Sequence, residues 1–271
     1  MNKICVLFVC NKLYFGKFLK TCHDLIEKGK YSGDICLVIG NDLKEYPFNE
    51  DLFKNKKIKI KYFPDLEFGD EWTRINNDIK FQFRRKVWQK KFQFHKFYIF
   101  HNYFKKWDYI LYIDCGMNIY HDIQPILDER QKNTLFANRD GLDNETEYGG
   151  LTLRQQLINK HLNKEQHTIL NELKKNYDLN VLTFQTTLLL YDTNIITDNT
   201  FKDLIDLNLK YPLSKTNEQG IMGIYFYKKW KQIKRKNDDI YFYDFVRCVK
   251  KPYIMTKKTT GRYKHIGYIN N

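Results

Sequence analysis

The chain has 271 residues, and its 46 lysines and arginines outnumber 32 aspartates and glutamates, which gives a net charge of +14. Apolar residues make up 42% of the chain, so a packed core can form and an intrinsically disordered chain is excluded. No apolar run approaches the roughly 20 residues that span a bilayer, and the N-terminus shows no signal-peptide cleavage pattern. We therefore expect a cytoplasmic protein.

The excess of positive charge has two explanations. A basic surface attracts nucleic acid, anionic membranes or phosphorylated small molecules. The chain is also rich in asparagine, isoleucine and tyrosine, whose codons, like those of lysine, are AT-rich, so genomic bias accounts for part of the excess. The charge favours an anionic ligand only weakly. The six cysteines contain no C-x-x-C pair, so we expect reduced thiols rather than a zinc site or a disulfide framework.

The first part of the chain alternates strand and helix. Ile4–Cys10 is a continuous apolar run, as expected of a strand covered on both faces. Phe15–Glu27 has the apolar spacing of a helix, and further strands are predicted at Asp34–Ile39 and at residues 58–63. This rhythm favours a parallel sheet and a Rossmann-like first half.

A long aromatic helix is predicted next, over residues 87–104. Its apolar stripe is wide enough to indicate a helix buried under a sheet. A buried strand follows at Tyr109–Ile113 and stops at Asp114. The second half then alternates again: strands are predicted at 134–137 and 187–191, helices at 152–159, 166–176, 201–209 and 217–229, and short strands and turns at 241–271.

Asp114 is the most informative residue of the sequence. A buried strand that ends in a carboxylate places that carboxylate at the carboxyl edge of the sheet, where open α/β sheets bind ligands. An aspartate that merely begins a turn before Gly116 would give the same pattern. As a hard oxygen ligand, its carboxylate suits Mn²⁺ or Mg²⁺.

The stretch from Tyr109 to Gly116 resembles the strand "v-l-Y-l-D-x-D" of the GT-A glycosyltransferases, especially the glycogenin and lipooligosaccharide galactosyltransferase family, family 8. In that family the two aspartates hold Mn²⁺ under the diphosphate of a nucleotide sugar. Asp114 matches the first aspartate, and Gly116 stands in place of the second. The resemblance therefore implies a D-x-G site in which the metal has fewer protein ligands and more water.

Further segments resemble the same family in the same order. Residues 9–14 stand where the family binds the base and ribose, and residues 136–140 stand where it faces the donor sugar. The resemblance implies donor contacts there from Val9, Asn11, Tyr14 and Arg139, with Asp140 beside the sugar.

Two segments resemble the family's reaction centre. Residues 184–193 are similar to the strand "F-N-x-G-v-m-l-f-n-t", with Gln185 in place of the asparagine. Residues 217–220 resemble the "D-Q-D" opening of the next helix, with Glu218 for the first aspartate and Gly220 for the second.

The tail and the long aromatic helix supply the remaining candidates. Residues 264–267 resemble an "H-x-x-G" or "H-x-G" motif, which implies His265 as a metal ligand and Gly267 beside the phosphates. His265 is equally explained as a surface histidine, since one histidine without a fixed partner is weak evidence. Lys91 and Lys96 are candidates to face the donor phosphates, although most lysines are simply solvated.

Glu218, Gln185 and Asp140 are the candidate catalytic residues. An inverting enzyme would use Glu218 as the general base on the acceptor hydroxyl. A retaining enzyme would use Glu218 or Gln185 to stabilise an oxocarbenium-like centre. A glutamate at a helix N-terminus is otherwise an ordinary capping residue.

Taken together, these residues predict a GT-A fold, a Rossmann-like mixed sheet flanked by helices, in one domain over residues 1–271. The resemblance implies a nucleotide-binding half of about 1–120 and an acceptor-side half of about 121–271. It also implies transfer of a sugar from a nucleotide diphospho-sugar, a UDP-sugar first, to a hydroxyl with the help of Mn²⁺ or Mg²⁺. The acceptor stays open among glycan, protein and lipid-linked sugars, as do the stereochemistry and the oligomeric state.

Two alternatives remain at this stage. One is a basic, aromatic-rich module that binds single-stranded nucleic acid on stacking platforms; no nucleic-acid partner is expected, because the aromatics cluster in apolar runs. The other is a GT-A protein that has lost its activity, suggested by Gly116 and Gly220.

Overall fold

The computed structural model describes residues 2–55, 58–77, 91–140, 151–158, 162–233, 255–257 and 263–265. A seven-stranded sheet forms the centre of this described part. Its strands are β1 (Ile4–Cys10), β2 (Asp34–Ile39), β3 (Ile58–Tyr62), β4 (Tyr109–Ile113), β5 (Leu135–Arg139), β6 (Phe184–Asp192) and β7 (Trp230–Gln232).

The strand order β3-β2-β1-β4-β6-β5-β7 fixes which chain ends meet. The first four strands in this order are parallel to one another. β6 runs antiparallel to both β4 and β5, so β4 and β5 point the same way. The carboxyl ends of β1, β4 and β5 therefore lie at one edge of the sheet, together with the amino end of β6.

Helices surround this sheet. They are α1 (Phe15–Glu27), α2 (Asp51–Asn55), α3 (Gly69–Asn77), α4 (Gln124–Leu127), α5 (Leu153–Leu157), α6 (Lys164–Asn176), α7 (Thr200–Lys210) and α8 (Glu218–Tyr225). α5 and α6 each begin with a capping box. The side chain of the residue before the helix accepts the backbone N–H of a glutamine three residues later, and the glutamine side chain accepts the backbone N–H of that first residue. Two short strands, β8 (Met255–Lys257) and β9 (Tyr263–His265), form a separate antiparallel pair.

Both faces of the sheet are covered, as the continuous apolar strands predicted. Alternate residues of β1 belong to two different buried clusters, because successive side chains of a strand point to opposite faces. Phe18 and Cys22 of α1 pack on one face with Phe8. The aromatic segment that precedes β4 and the helices α7 and α8 pack on the other face.

The predicted long helix over 87–104 is confirmed at residues 91–93, which are α-helical, and is wrong from residue 94 onwards. The chain instead forms a 3-10 helix at Phe94–Phe100 and another at Asn102–Lys106, separated by His101 in an extended conformation. Apolar residues occupy almost every position here, so the sequence does not distinguish a period of 3.6 from one of 3.0. Three residues per turn align Phe94 and Phe97 with one another on one side of the helix and leave Lys96 on another side.

The other predictions for this part of the chain agree with the structure to different degrees. The bounds of β1, α1, β2 and β4 are those predicted, whereas β6 begins three residues earlier than expected. The five described cysteines are free thiols, and Cys248 lies outside the described residues. None of the described helices is long and apolar enough to cross a membrane. The division into halves near residue 120 stays a prediction.

Candidate active site

The candidate active site lies at the carboxyl edge of the sheet, on both sides of β6. Asp114 follows β4 directly, and its backbone N–H donates to the carbonyl of Thr187 on β6 at 2.8 Å. Asp140 follows β5, and its N–H donates to the carbonyl of Thr183 at 3.0 Å. The pairing of β4 and β5 with β6 thus holds two carboxylates at the same edge.

Lys96 joins Asp114 to Glu218. Its Nζ lies 2.8 Å from Oδ1 of Asp114 and 2.9 Å from Oε1 of Glu218. The Lys96 side chain is 14% exposed and that of Glu218 only 6%, whereas the Asp114 side chain is 31% exposed. The three charged groups therefore form one largely buried cluster that opens to solvent on the side of Asp114.

Asp114 and Glu218 stabilise the protonated form of Lys96. Burial by itself would lower the pKa of this ammonium, but the neighbouring carboxylates of Asp114 and Glu218 outweigh burial and hold the pKa above its ordinary value. Lys96 is consequently a fixed cation at physiological pH.

A hydrogen-bond chain continues from Glu218 to Asp140. The Thr186 hydroxyl donates to Oε1 of Glu218 at 3.1 Å, and the Thr186 N–H donates to Oε1 of Gln219 at 3.1 Å. Nε2 of Gln219 donates to Oδ2 of Asp140 at 2.8 Å, and Nε2 of Gln156 donates to the same oxygen at 2.9 Å. This chain connects four of the predicted site residues: Asp114, Lys96, Glu218 and Asp140.

Tight packing aims the N-terminus of α8 at this cluster. Asn217, which precedes the helix, has a φ of 57°, and its side-chain amide donates to Gln93 in front of the aromatic 3-10 segment. A Cβ at Gly220 would lie 2.4 Å from the Ser214 hydroxyl oxygen and 2.9 Å from Leu157. A larger residue at this position would therefore require the side chains of Ser214 and Leu157 to shift.

Tyr112 supports Asp114 from within β4. Its hydroxyl donates to Oδ1 of Asp114 at 2.5 Å. Burial first, and the Asp114 charge second, raise the pKa of Tyr112 well above its ordinary value. The phenol therefore stays protonated, and it remains a hydrogen-bond donor to the same oxygen that contacts Lys96.

A cleft of about 670 Å³ lies at the same edge of the sheet, beyond the carboxyl ends of β1 and β2. Asn11, Lys12, Lys91, Phe92 and His95 are among its lining residues. The half-buried Phe92 stacks on the buried His95 with ring centroids 4.8 Å apart. Lys96, Asp114 and Glu218 do not line this cleft; its connection to the cluster is His95, which lines the cleft and precedes Lys96 in the chain.

Two predicted donor contacts line the cleft, but their polar groups already have protein partners. Oδ1 of Asn11 accepts the N–H of Tyr14 at 3.2 Å and so caps a short 3-10 turn. Nζ of Lys91 lies 2.9 Å from a carboxylate oxygen of Glu67. Either group would bind a ligand by exchanging or sharing these contacts.

The other predicted site residues are placed less directly. Val9 is buried in the core, and the ring of the exposed Tyr14 lies 4.7 Å from Nζ of Lys17. The N–H of Arg139 donates to Oε1 of Gln232 at 2.8 Å. Gln185 is buried and accepts the hydroxyl of Thr187 at 3.0 Å.

The predicted metal ligands are not assembled by the described residues. No described group of three histidine, cysteine, aspartate or glutamate side chains is arranged to hold a metal ion. Oδ1 of Asp114 already accepts hydrogen bonds from Lys96 and Tyr112, and Gly116 offers no side chain. Asp114 and Gly116 thus leave a divalent cation one carboxylate oxygen, Oδ2 of Asp114, which is too few ligands for a metal site of their own. His265 lies on β9 with its side chain outside the described atoms, and Gly267 lies outside the described residues, so their roles stay predictions.

Some residues of the cluster were not singled out by the sequence. Thr186 and Gln156 carry no local signal, because their partners lie 32 and 16 positions away in the chain. Gln219 lies inside the segment that resembles "D-Q-D", so this resemblance could have identified it.

The chain is similar in structure to known proteins but not in sequence. No protein-family model and no curated protein sequence match the chain. The glycosyltransferase GlyE of Streptococcus pneumoniae TIGR4 is similar in structure, with a TM-score of 0.52 and 14% identity over 86% of this chain and 46% of that one. Its apo form gives a TM-score of 0.53 at 13% identity with the same coverage. A Mn/GDP form of core-mannan synthase A from Aspergillus fumigatus gives 0.49 at 12% identity, over 86% and 73% of the two chains.

These similarities confirm the predicted fold: a mixed seven-stranded sheet with flanking helices, the GT-A fold of glycosyltransferases. This chain spans about half the length of the GlyE chains. At such low identity the likeness establishes the fold alone.

Proposed function

We propose that this chain is a glycosyltransferase that moves a sugar from a nucleotide diphospho-sugar, with UDP-sugars as the first candidates, to a hydroxyl of an acceptor. The observation that carries the proposal is the cluster of Asp114, Lys96 and Glu218. It lies at the carboxyl edge of a GT-A sheet, the edge that also carries a nucleotide-sized cleft. Ligand pockets of roughly 300–1,000 Å³ are typical for molecules of that size.

In this proposal the cleft binds the nucleotide. The half-buried ring of Phe92 suits a base. The ammonium groups of Lys12 and Lys91 suit phosphates, and the carboxylates of Asp42, Asp65 and Glu67, which line the same cleft, offset part of this positive charge. A donor bound there would extend its sugar past Lys96 towards Asp114. The acceptor would then approach from the side of Glu218.

The transfer itself breaks one bond and forms another. The acceptor oxygen bonds to the anomeric carbon, and the bond from that carbon to the phosphate oxygen breaks, so the diphosphate leaves with the electron pair. Lysine ammonium groups that face the diphosphate stabilise the charge that develops on it. If the enzyme inverts, Glu218 accepts the acceptor proton; if it retains, Glu218 or Gln185 balances the cationic sugar. Asp140, held by Gln156 and Gln219, would orient the sugar.

A panel of donors tests this proposal. The full chain is incubated with UDP-, GDP- and other nucleotide sugars and a mixture of acceptors, and released nucleoside diphosphate and new glycosides are measured. We expect release from at least one donor, and its loss in Glu218→Gln. Glu172→Gln is the matched control, because Glu172 is paired with Lys210 on the exposed surface. If no donor binds or reacts, the proposal is wrong.

The burial of the aromatics supports an enzyme over a nucleic-acid module. Single-strand binders stack bases on exposed aromatic rings. Among the described residues, the exposed large apolar side chains include one aromatic, Tyr14. Binding of single-stranded DNA or RNA with nanomolar affinity, in the absence of any nucleotide-sugar turnover, would reverse this preference.

A further inference from the structure

The backbone conformation at position 116 favours a glycine. It has a φ of 91°, which side chains rarely adopt, and its N–H donates to the Thr21 hydroxyl of α1 at 3.0 Å. A Cβ at this position would lie 3.2 Å from the Lys17 side chain. The loop after β4 is therefore fixed against α1, and it offers one carboxylate to the site, that of Asp114.

The oxygen of Asp114 that faces the cluster has no lone pair left for a metal ion. Oδ1 accepts from Nζ of Lys96 and from the Tyr112 hydroxyl, and a carboxylate oxygen has about two lone pairs. A divalent cation on that oxygen would also lie within a few ångströms of the Lys96 ammonium and be repelled by it.

Lys96 supplies one positive charge where a divalent metal ion would supply two. The carboxylates of Asp114 and Glu218 together with the ammonium of Lys96 sum to −1, so Lys96 offsets half of the negative charge of the two carboxylates. The ammonium also contacts Glu218 at 2.9 Å, so it bridges the two carboxylates of the site.

We propose that Lys96 is the built-in cation of this site, in the place of a divalent metal ion, so that nucleotide binding does not depend on Mn²⁺ or Mg²⁺. Lys96 acts here as a positioning residue: it neutralises Asp114 beside the path of the diphosphate and holds Glu218 at the opposite side. The nucleotide part of this inference rests on the proposed function.

Calorimetric titration with UDP and GDP, in the presence of a chelator and again with Mn²⁺, tests the proposal. The wild-type chain should bind its nucleotide equally well in both conditions. Lys96→Gln should bind it roughly 10- to 100-fold more weakly with the chelator, the usual range for losing a charged hydrogen-bond partner, and should recover with Mn²⁺. Lys96→Arg should behave like wild type. The control is Lys59→Gln, which breaks an ion pair with Asp34 in a different part of the sheet.

Direct binding of Mn²⁺ to the protein without nucleotide separates this inference from the proposed function. Lys96→Gln leaves Asp114 and Glu218 without their shared cation, so it should bind Mn²⁺ more tightly than wild type, as followed by the electron paramagnetic resonance of free Mn²⁺. Equal Mn²⁺ affinity of the two chains, or wild-type nucleotide binding that Mn²⁺ strengthens tenfold or more, would overturn the inference. If no nucleotide binds at all, the proposed function fails and the Mn²⁺ comparison still decides the role of Lys96.

Discussion

At the scale of single residues, the ammonium of Lys96 holds together two carboxylates that would otherwise repel each other. Substitutions in this cluster should not be additive, because each member is a partner of another. The effect of removing Asp114 will therefore depend on whether Lys96 and Glu218 are present.

Glu218→Gln tests the role of this carboxylate in the proposed transfer. The amide keeps the size of the side chain and its contact with the Thr186 hydroxyl, but it cannot accept a proton. Loss of a general base typically lowers a rate by about 10²–10⁴. We expect a fall of that order in transfer, measured by steady-state kinetics, with donor affinity close to wild type.

Two outcomes would contradict this role. Full activity in Glu218→Gln would remove Glu218 from the chemistry and direct attention to Gln185 and Asp140. A loss of donor affinity with unchanged turnover would make Glu218 a binding residue.

At the scale of elements, the contact of α8 with α5 sets the position of Glu218. Gly220 and Gly223 lie on α8 where a Cβ would approach Leu157 and Leu153 of α5, at 2.9 Å and 3.1 Å. Glycine is normally unfavourable inside a helix, so its use here indicates close packing.

Gly220→Ala tests this packing. The added methyl group would lie 2.4 Å from the Ser214 oxygen, so neighbouring groups must shift. Overpacking of this kind costs about 1–3 kcal/mol, which we expect as a lower free energy of unfolding in urea.

The control for Gly220→Ala is Gly16→Ala in α1, where a Cβ would meet nothing within 4 Å. That change should leave stability unchanged or raise it by up to about 1 kcal/mol, because alanine favours helix. Equal effects of the two substitutions would show that packing of α8 is not the reason for Gly220.

At the scale of the whole molecule, His95 links the stability of the fold to pH. It is 1% exposed, and its Nε2 lies 3.2 Å from the Ile39 carbonyl oxygen. Burial lowers its pKa from 6.5 to about 4, although Asp65, 4.0 Å away, acts in the opposite direction. The imidazole is therefore neutral in the folded protein at neutral pH, and the contact with Asp65 is not an ion pair there.

This shift predicts acid sensitivity. Between pH 6.5 and about 4 the unfolded chain protonates His95 while the folded chain does not, so the unfolded state binds more protons. The free energy of unfolding should therefore fall as the pH falls, by roughly 3 kcal/mol over this window.

Urea unfolding of wild type and His95→Gln at several pH values isolates this contribution. Glutamine can donate to the same carbonyl without titrating. The stability difference between the two chains should shrink or reverse towards pH 4. Parallel pH profiles would show that other groups cause the acid sensitivity.

The sequence by itself determined the alternation of strands and helices, the ends of β1, α1, β2 and β4, and the position of Asp114 after a buried strand. These follow from local periodicity and from the residues that break it, which neighbours in the chain decide. The resemblance added Glu218 and Asp140 as candidates. The 3-10 geometry at Phe94–Phe100 escaped prediction, because a segment that is apolar at nearly every position has no informative period.

Only the tertiary structure decided which of these residues meet. Lys96 and Glu218 are separated by more than a hundred residues, and their contact depends on how the aromatic segment and α8 pack on the same face of the sheet. The steric role of Gly220 and the fixed turn at Gly116 likewise depend on neighbours from α5 and α1. A sequence specifies such contacts only through the packing of the whole core. The local pattern around Lys96 therefore did not indicate that the fold places this lysine as a buried cation between two carboxylates.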